Sequence, residues 1–268
     1  MHAPQPLDRQ VQDLYRIVQV LSTKLVGVSQ KIARLEALDA LARQGRAPRL
    51  PLEFRSQFGE DVMLWDMLGG QTEGFFIEVG AFDGYHFSVS YALEAIGWNG
   101  LLIEAIPERA EQCRARRPHS RVEHAALSRR GSTGTVTFTV AEDHYGGMLS
   151  YLHPDPSHVR DLDSGKVQRR SVTVPVTTMN DLLKDHTGDI DFASIDVEGG
   201  ELALLDGFDL HKHRPKVLFI EDNTHGANPA LANYMRTQPY VQVAWLEVNR
   251  VYVRTDLQQE LTARLRRF

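Results

Sequence analysis

FFIEVGAFDG, residues 75–84, decides the fold. Phe75 to Val79 is a short apolar run with one acid, as in a strand covered on both faces. Gly80 and Gly84 then punctuate a turn. In α/β folds a glycine turn directly after a buried strand is a ligand-binding position. Its spacing argues against a dinucleotide and excludes a phosphate-cradling loop. The glycines read G-A-F-D-G rather than the G-x-G-x-x-G that brings backbone up to a pyrophosphate, and no Lys-Ser/Thr follows to cradle a phosphate. Glu78 and Asp83 also put negative charge where a diphosphate would lie. A cationic ligand without phosphates suits the turn better.

Outward from this turn the pattern alternates. SVSYALEAIG (88–97) reads as a helix, GLLIEAI (100–106) as a strand, PERAEQCRARRP (107–118) as a helix and VEHAAL (122–127) as a strand. The alternation resumes with a strand and turn at 190–199, a helix at 201–208 and a strand at 216–223. VQVAWLEVNRVYVR (241–254) reads as an antiparallel hairpin on the sheet edge. Strands alternating with helices imply right-handed crossovers, so the expected fold is α/β: a Rossmann-like, mostly parallel, doubly wound sheet. Between two period-two stretches, 135–140 and 171–179, lies a long polar segment. Residues 141–170 are expected to form a substrate loop or lid.

The N-terminal part follows another rule. Leu7, Val11, Leu14, Val18, Leu21, Leu25, Val28, Ile32 and Leu35 recur in steps of four and three, a 3.5-residue period. GRAPRLP (45–51) breaks the helix. This predicts an oligomerisation helix over 1–45 and a catalytic domain over 52–268. Valine and isoleucine at most positions of one register and leucine at most of the other favour two strands, so a homo-oligomer through residues 7–35 is expected. The competing expectation is an amphipathic helix folded back on its own domain.

Composition sets the outer bounds. The chain has 268 residues, 42% hydrophobic and 24% charged, with a net charge of −5, which is ordinary for a globular protein. That charge gives no footprint for nucleic acid or an anionic membrane. Cys113, the single cysteine, excludes an intrachain disulfide framework and reads as a structural thiol. No apolar run reaches spanning length and no signal core is present, so a cytoplasmic location is expected.

Acids recur at the strand ends: Glu78 and Asp83, Glu104, Asp196 and Glu198, then Glu221, Asp222 and Asn223. Glu104 ends an apolar strand 24 residues beyond Gly80, where a carboxylate accepts hydrogen bonds from both hydroxyls of a ribose. S-adenosylmethionine suits these positions: its sulfonium and α-amino group favour nearby carboxylates and its ribose suits Glu104. SQFGED (56–61), FIEVGAFDGYHFSVS (76–90), GWNGLLIEAIPE (97–108), HAALS (124–128) and IDFASIDVEGGELALLDGF (190–208) resemble the FkbM-type S-adenosylmethionine-dependent methyltransferases across 54–223. Two departures are Ala105, where the family often has proline, and Glu78, where it usually has aspartate.

The resemblance implies O-methylation of a small-molecule hydroxyl, that of a sugar or a sugar-containing natural product. It implies cofactor roles for Glu78, Gly80, Asp83 and Glu104. It places Gln57 and Glu60 over the methionine end, Ser88 at its carboxylate, and Ala125 and Ala126 against the adenine. A sugar hydroxyl is a poor acid, so a base or a metal is required. In one reading Asp196, Glu221, Asp222 and Asn223 hold Mg²⁺ or Mn²⁺, which activates the hydroxyl. In that reading's rival, Asp196 and Glu198 merely cap the next helix. In another, His225 or His144 is the general base. Two other function classes remain at this point: a nicotinamide-dependent sugar enzyme, disfavoured by the missing G-x-G-x-x-G, and a non-catalytic oligomeric scaffold.

Overall fold

A computed structural model of the chain describes residues 7–142, 147–152, 156–265 and 267. Its strands are β1 (Phe75–Val79), β2 (Asn99–Glu104), β3 (Arg121–His124), β4 (Ala126–Leu127), β5 (Thr135–Glu142), β6 (Gln168–Thr177), β7 (Phe192–Ile195), β8 (Val217–Glu221), β9 (Tyr240–Leu246) and β10 (Asn249–Arg254). The helices that frame the site are α1 (Leu7–Arg43), α2 (Glu60–Met67), α3 (Tyr91–Ile96), α4 (Pro107–Arg116), α5 (Pro156–Ser164), α6 (Met179–Leu182) and α7 (Glu201–Asp206).

Seven strands form one sheet in the order β3-β2-β1-β7-β8-β10-β9. β1 lies between β2 and β7, parallel to both, with Ile77 opposite Leu101 on one side and Ala193 on the other. Strand alternation sends successive residues to opposite faces. Phe76 therefore packs with Leu102, Phe192, Phe219 and the helices α2 and α3 on one side. Ile77 packs with Leu101, Ile103, Ala193 and Leu218 on the other.

The expected terminal hairpin is present, but only one of its strands is at the edge. β10 inserts antiparallel between β8 and β9, leaving β9 outermost and parallel to β8. The expected strand 122–127 splits at Ala125. β3 pairs with β2, whereas β4 pairs with β6 in a second sheet of order β4-β6-β5. The expected helix at 88 starts only at Tyr91, because Ser88 to Ser90 are engaged with Glu78. The polar excursion carries a helix, α5, that its composition did not reveal.

α1 runs 37 residues. Ala33, Ala37 and Leu41 near its C-terminal end are buried in the main core. The Trp65 indole donates to Glu36 at 3.0 Å, and Arg267 bridges Glu36 and Asp66. This end of the helix therefore shares the core of the α/β domain. Among the described residues no helix is long and apolar enough to cross a membrane.

Candidate functional site

The parallel strands β2, β1, β7 and β8 end on one rim, and sheet order reverses between β1 and β7. Ligands of open α/β sheets bind at such a reversal, and a cavity of about 610 Å³ opens there. Gly80, Glu104, Ala125 and Ala126 line one part, Asp196, Glu198, Glu221 and Asn223 another, and Phe138, Met148, Leu149 and Leu162 form an apolar roof. Phe138 of β5, Leu162 of α5 and the 147–152 segment between them supply that roof.

Gly80 explains why the turn needs glycine. Its φ is +77°, and a Cβ would lie 2.0 Å from the Asp196 carbonyl oxygen, so β1 and β7 approach too closely there for any side chain. Phe82 and Phe87 also have positive φ, 50° and 58°, and both line the cavity. Such strain in non-glycine residues concentrates at ligand sites.

Glu104 faces the cavity from the end of β2. Its Oε2 accepts from the Phe82 amide at 2.8 Å and its Oε1 from the Ile106 amide at 2.7 Å. Burial raises its pKa to about 7, against these backbone bonds, which act in the opposite direction. Gln57, exposed, and the small residues Ala125 and Ala126 line the same space.

Four residues assigned to the cofactor by resemblance do not reach the cavity wall. Glu78 turns to the 88–90 loop, accepting from Ser88 Oγ at 2.9 Å, the Val89 amide at 2.8 Å and Ser90 Oγ, with the Arg117 guanidinium 3.6 Å away. Ser88, on the other side of that bond, also accepts from Arg117 at 3.2 Å. Asp83 binds the amides of Tyr85 and His86 together with the His86 ring and Arg116. Burial opposes its ionisation, but the bonds from His86 and Arg116 win and hold its pKa at about 2. Glu60 accepts from the Phe58 amide at 2.9 Å and from Asn249 at 2.8 Å, tying the entry of α2 to β10. The common reason is that a buried carboxylate takes the nearest donors. These acids shape the walls behind the cavity.

At the other end Asp196, Glu198 and Glu221 bring carboxylate oxygens within 4.8 Å of one another. Glu221, 7% exposed, has an Oε2 buried without a hydrogen-bond partner. Burial first, then repulsion from Asp196, Glu198 and Glu201, pushes its pKa well above the carboxylate range. Burial likewise raises Glu201 to about 7, while the Gly199 amide donates to it at 3.0 Å.

Two of the four expected metal ligands need correction. Asp222 points away, because alternate residues of a strand end face opposite sides. It meets Arg250 at 2.6 Å and accepts from Thr224 Oγ1 at 2.5 Å. Asn223 lines the cavity and donates its amide to Glu198 Oε2 at 3.2 Å, bracing that carboxylate. Glu198, not Asp222, stands with Asp196 and Glu221 in the carboxylate cluster. Its φ of 54° turns the chain after Asp196, a local geometry that sequence does not display. The signal available was the acid pair Asp196-x-Glu198 at a strand end. His225 is exposed, with φ 48°, on the cavity wall. His144 lies outside the described residues.

A family model described as "Methyltransferase FkbM domain" matches residues 78–241. No curated protein matches the chain. Solved structures similar to it include the METTL16 MTase domain, at 12% identity and TM-score 0.38, covering 82% of this chain and 77% of that one. An O-methyltransferase from Bacillus cereus in complex with SAH is 13% identical, with TM-score 0.34, covering 82% and 88%. A human methyltransferase 10 domain containing protein is 10% identical, with TM-score 0.35, covering 83% and 94%. Identities this low transfer no residue role.

Proposed function

The chain belongs to the FkbM methyltransferase family, and from that premise we propose that it is an S-adenosylmethionine-dependent O-methyltransferase acting on a sugar-like hydroxyl with a divalent cation. A methyl group bound to positive sulfur supplies the electrophile, so the protein has to hold donor and acceptor in line and dispose of one proton.

The fit to the cofactor rests on the cavity around the β1–β2 ends. Glu104 presents a carboxylate where ribose hydroxyls can donate, and Gly80 leaves room against the backbone. Ala125 and Ala126 offer flat, small walls to an adenine. Glu78 and Ser88 keep the turn in shape from behind, through their bonds to each other and to Arg117.

The fit to the cation rests on one observation above the rest: the buried, unpartnered Oε2 of Glu221 inside a trio of carboxylates. An orphaned buried acceptor is costly, and three like charges at this spacing repel. A hard divalent cation satisfies both, and an all-oxygen donor set suits Mg²⁺ or Mn²⁺. Asp196, Glu198 and Glu221 are the ligands in this reading, and Asn223 orients Glu198. The cation lowers the pKa of a bound hydroxyl. His225, on the same wall, is the residue placed to receive the released proton.

Two measurements test this. Thermal shift with S-adenosylhomocysteine against NAD tests the cofactor, since stabilisation by NAD alone refutes it. Turnover of hydroxylated acceptors before and after chelation tests the cation. Activity should vanish in EDTA and return with Mg²⁺ or Mn²⁺, whereas full turnover in excess EDTA removes the metal and leaves His225 as the base. Methylation of amines but not hydroxyls would show that the carboxylates hold an ammonium instead.

A further inference from the structure

Half of α1 has no contact with the domain it belongs to. Every described side chain from Val11 to Leu25 is exposed. Within this segment and beyond it, the eight heptad residues from Val11 to Leu35 are 43–67% exposed. An isolated helix of this kind is marginal in water, and a row of half-exposed Leu, Val and Ile is costly.

The helix also settles which face the domain takes. Ala33, Ala37 and Leu41 dock into the core, whereas Ile32 and Leu35 stay open at 43% and 67%. At about 100° per residue, the docked residues lie roughly 170° around the helix from the open pair. The fold-back expectation thus holds only for the C-terminal end of the helix, and on the face opposite the seam. The seam remains available along its whole length.

We propose that this seam pairs two copies of the chain as a parallel, in-register, two-stranded coiled coil. Val11, Val18, Leu25 and Ile32 occupy the a register and Leu14, Leu21, Val28 and Leu35 the d register, so three of four positions in each follow the β-branched-a, leucine-d choice that selects parallel dimers. Edge charges do not oppose the pairing: Lys24 at g faces the partner's Ser29 at e, and Lys31 faces the partner's Glu36, whose carboxylate Trp65 and Arg267 of its own chain already bind, so no like pair meets. From residue 7 to 35 the seam is about 42 Å long, four heptads. Burying its half-exposed side chains, with Tyr15 and Ile17 beside them, hides on the order of 1,000 Å² over both copies, the threshold of a specific interface. Because each domain packs on the outer face of its own helix, both hang at the same end without competing for the seam. The occupant is therefore a second copy, and the two cavities ride side by side.

The experiment uses the full chain. Sedimentation equilibrium at tens of micromolar should give twice the chain mass, and L14D/L21D should give the single mass. The pair of substitutions touches only exposed residues, so its far-UV spectrum below α1 helicity loss and its S-adenosylhomocysteine binding should match the parent domain. V28C should crosslink to itself under mild oxidation, since the only other thiol, Cys113, is buried. A monomeric parent chain overturns the proposal and points to a different partner for the seam. So does a dimer that survives L14D/L21D. Crosslinking of V28C with L14C but not with itself overturns the parallel arrangement.

Discussion

The pKa of Glu104 offers a quantitative test of where the cofactor sits. Burial holds that carboxyl at about 7. A ribose donates two hydroxyl protons, so it binds the ionised form. The ionised fraction of a group with this pKa is about 0.09 at pH 6 and about 0.9 at pH 8, so affinity for S-adenosylhomocysteine should rise about tenfold over that range, or about 1.4 kcal/mol. At pH 7 binding should release about half a proton, read from calorimetry in buffers of different ionisation enthalpy. E104Q should flatten the profile, since its amide does not titrate, and should weaken binding at pH 8. The thioether product is the right probe because it lacks the sulfonium and any effect of its charge on the acids. A pH-independent Kd in the parent chain refutes the reasoning, as does a tenfold rise that E104Q retains.

Other perturbations separate site from scaffold. E221Q removes a buried, repelled carboxylate, so calorimetry should show a higher Tm, by roughly 2–4 °C for each kcal/mol of repulsion relieved, together with loss of metal-dependent turnover; a lower Tm contradicts the picture of a strained acid trio. G80A forces a Cβ to 2.0 Å from the Asp196 carbonyl at φ +77°, and denaturant titration should report a loss of about 3 kcal/mol or more. R250A leaves Asp222 buried and unpaired, with an expected loss of about 3–5 kcal/mol by the same titration. If R250A instead changed metal affinity with stability intact, Asp222 would belong to the cation site after all.

The sheet was readable because buried parallel strands leave unmistakable marks: FFIEV, GLLIE and VLFIE are apolar runs, each closed by a turn or an acid. Glu104 and Gly80 were readable for the same reason, since strand-end position alone delivers them to the cavity. Glu78 and Asp83 also end that first strand region, yet they turn elsewhere. The direction of each side chain depends on which donors the following loop and α4 bring near: Ser88, Val89, Ser90 and Arg117 for Glu78, and Tyr85, His86 and Arg116 for Asp83. Glu198 joins the acidic cluster and Asp222 does not, because the outcome rests on a left-handed φ at 198 and on Arg250, 28 residues beyond Asp222. The docked face of α1 was missed because alanines at 33 and 37 look like filler between heptad residues, while they are what lets the helix lie close against α2.

The position of β10 carries a consequence for how the molecule assembles. The strand beside β8 is not the next one synthesised but the one after, so β9 has nothing to pair with until the chain has doubled back. Asn249, opposite Glu221 in that pairing and bonded to Glu60, arrives with it. Until residues 249–254 have emerged from the ribosome, β8 presents a bare edge and its terminal acid has an open flank. The acid-bearing end of the sheet is therefore completed only when this late, long-range antiparallel pairing forms, the kind of contact that closes slowly in folding.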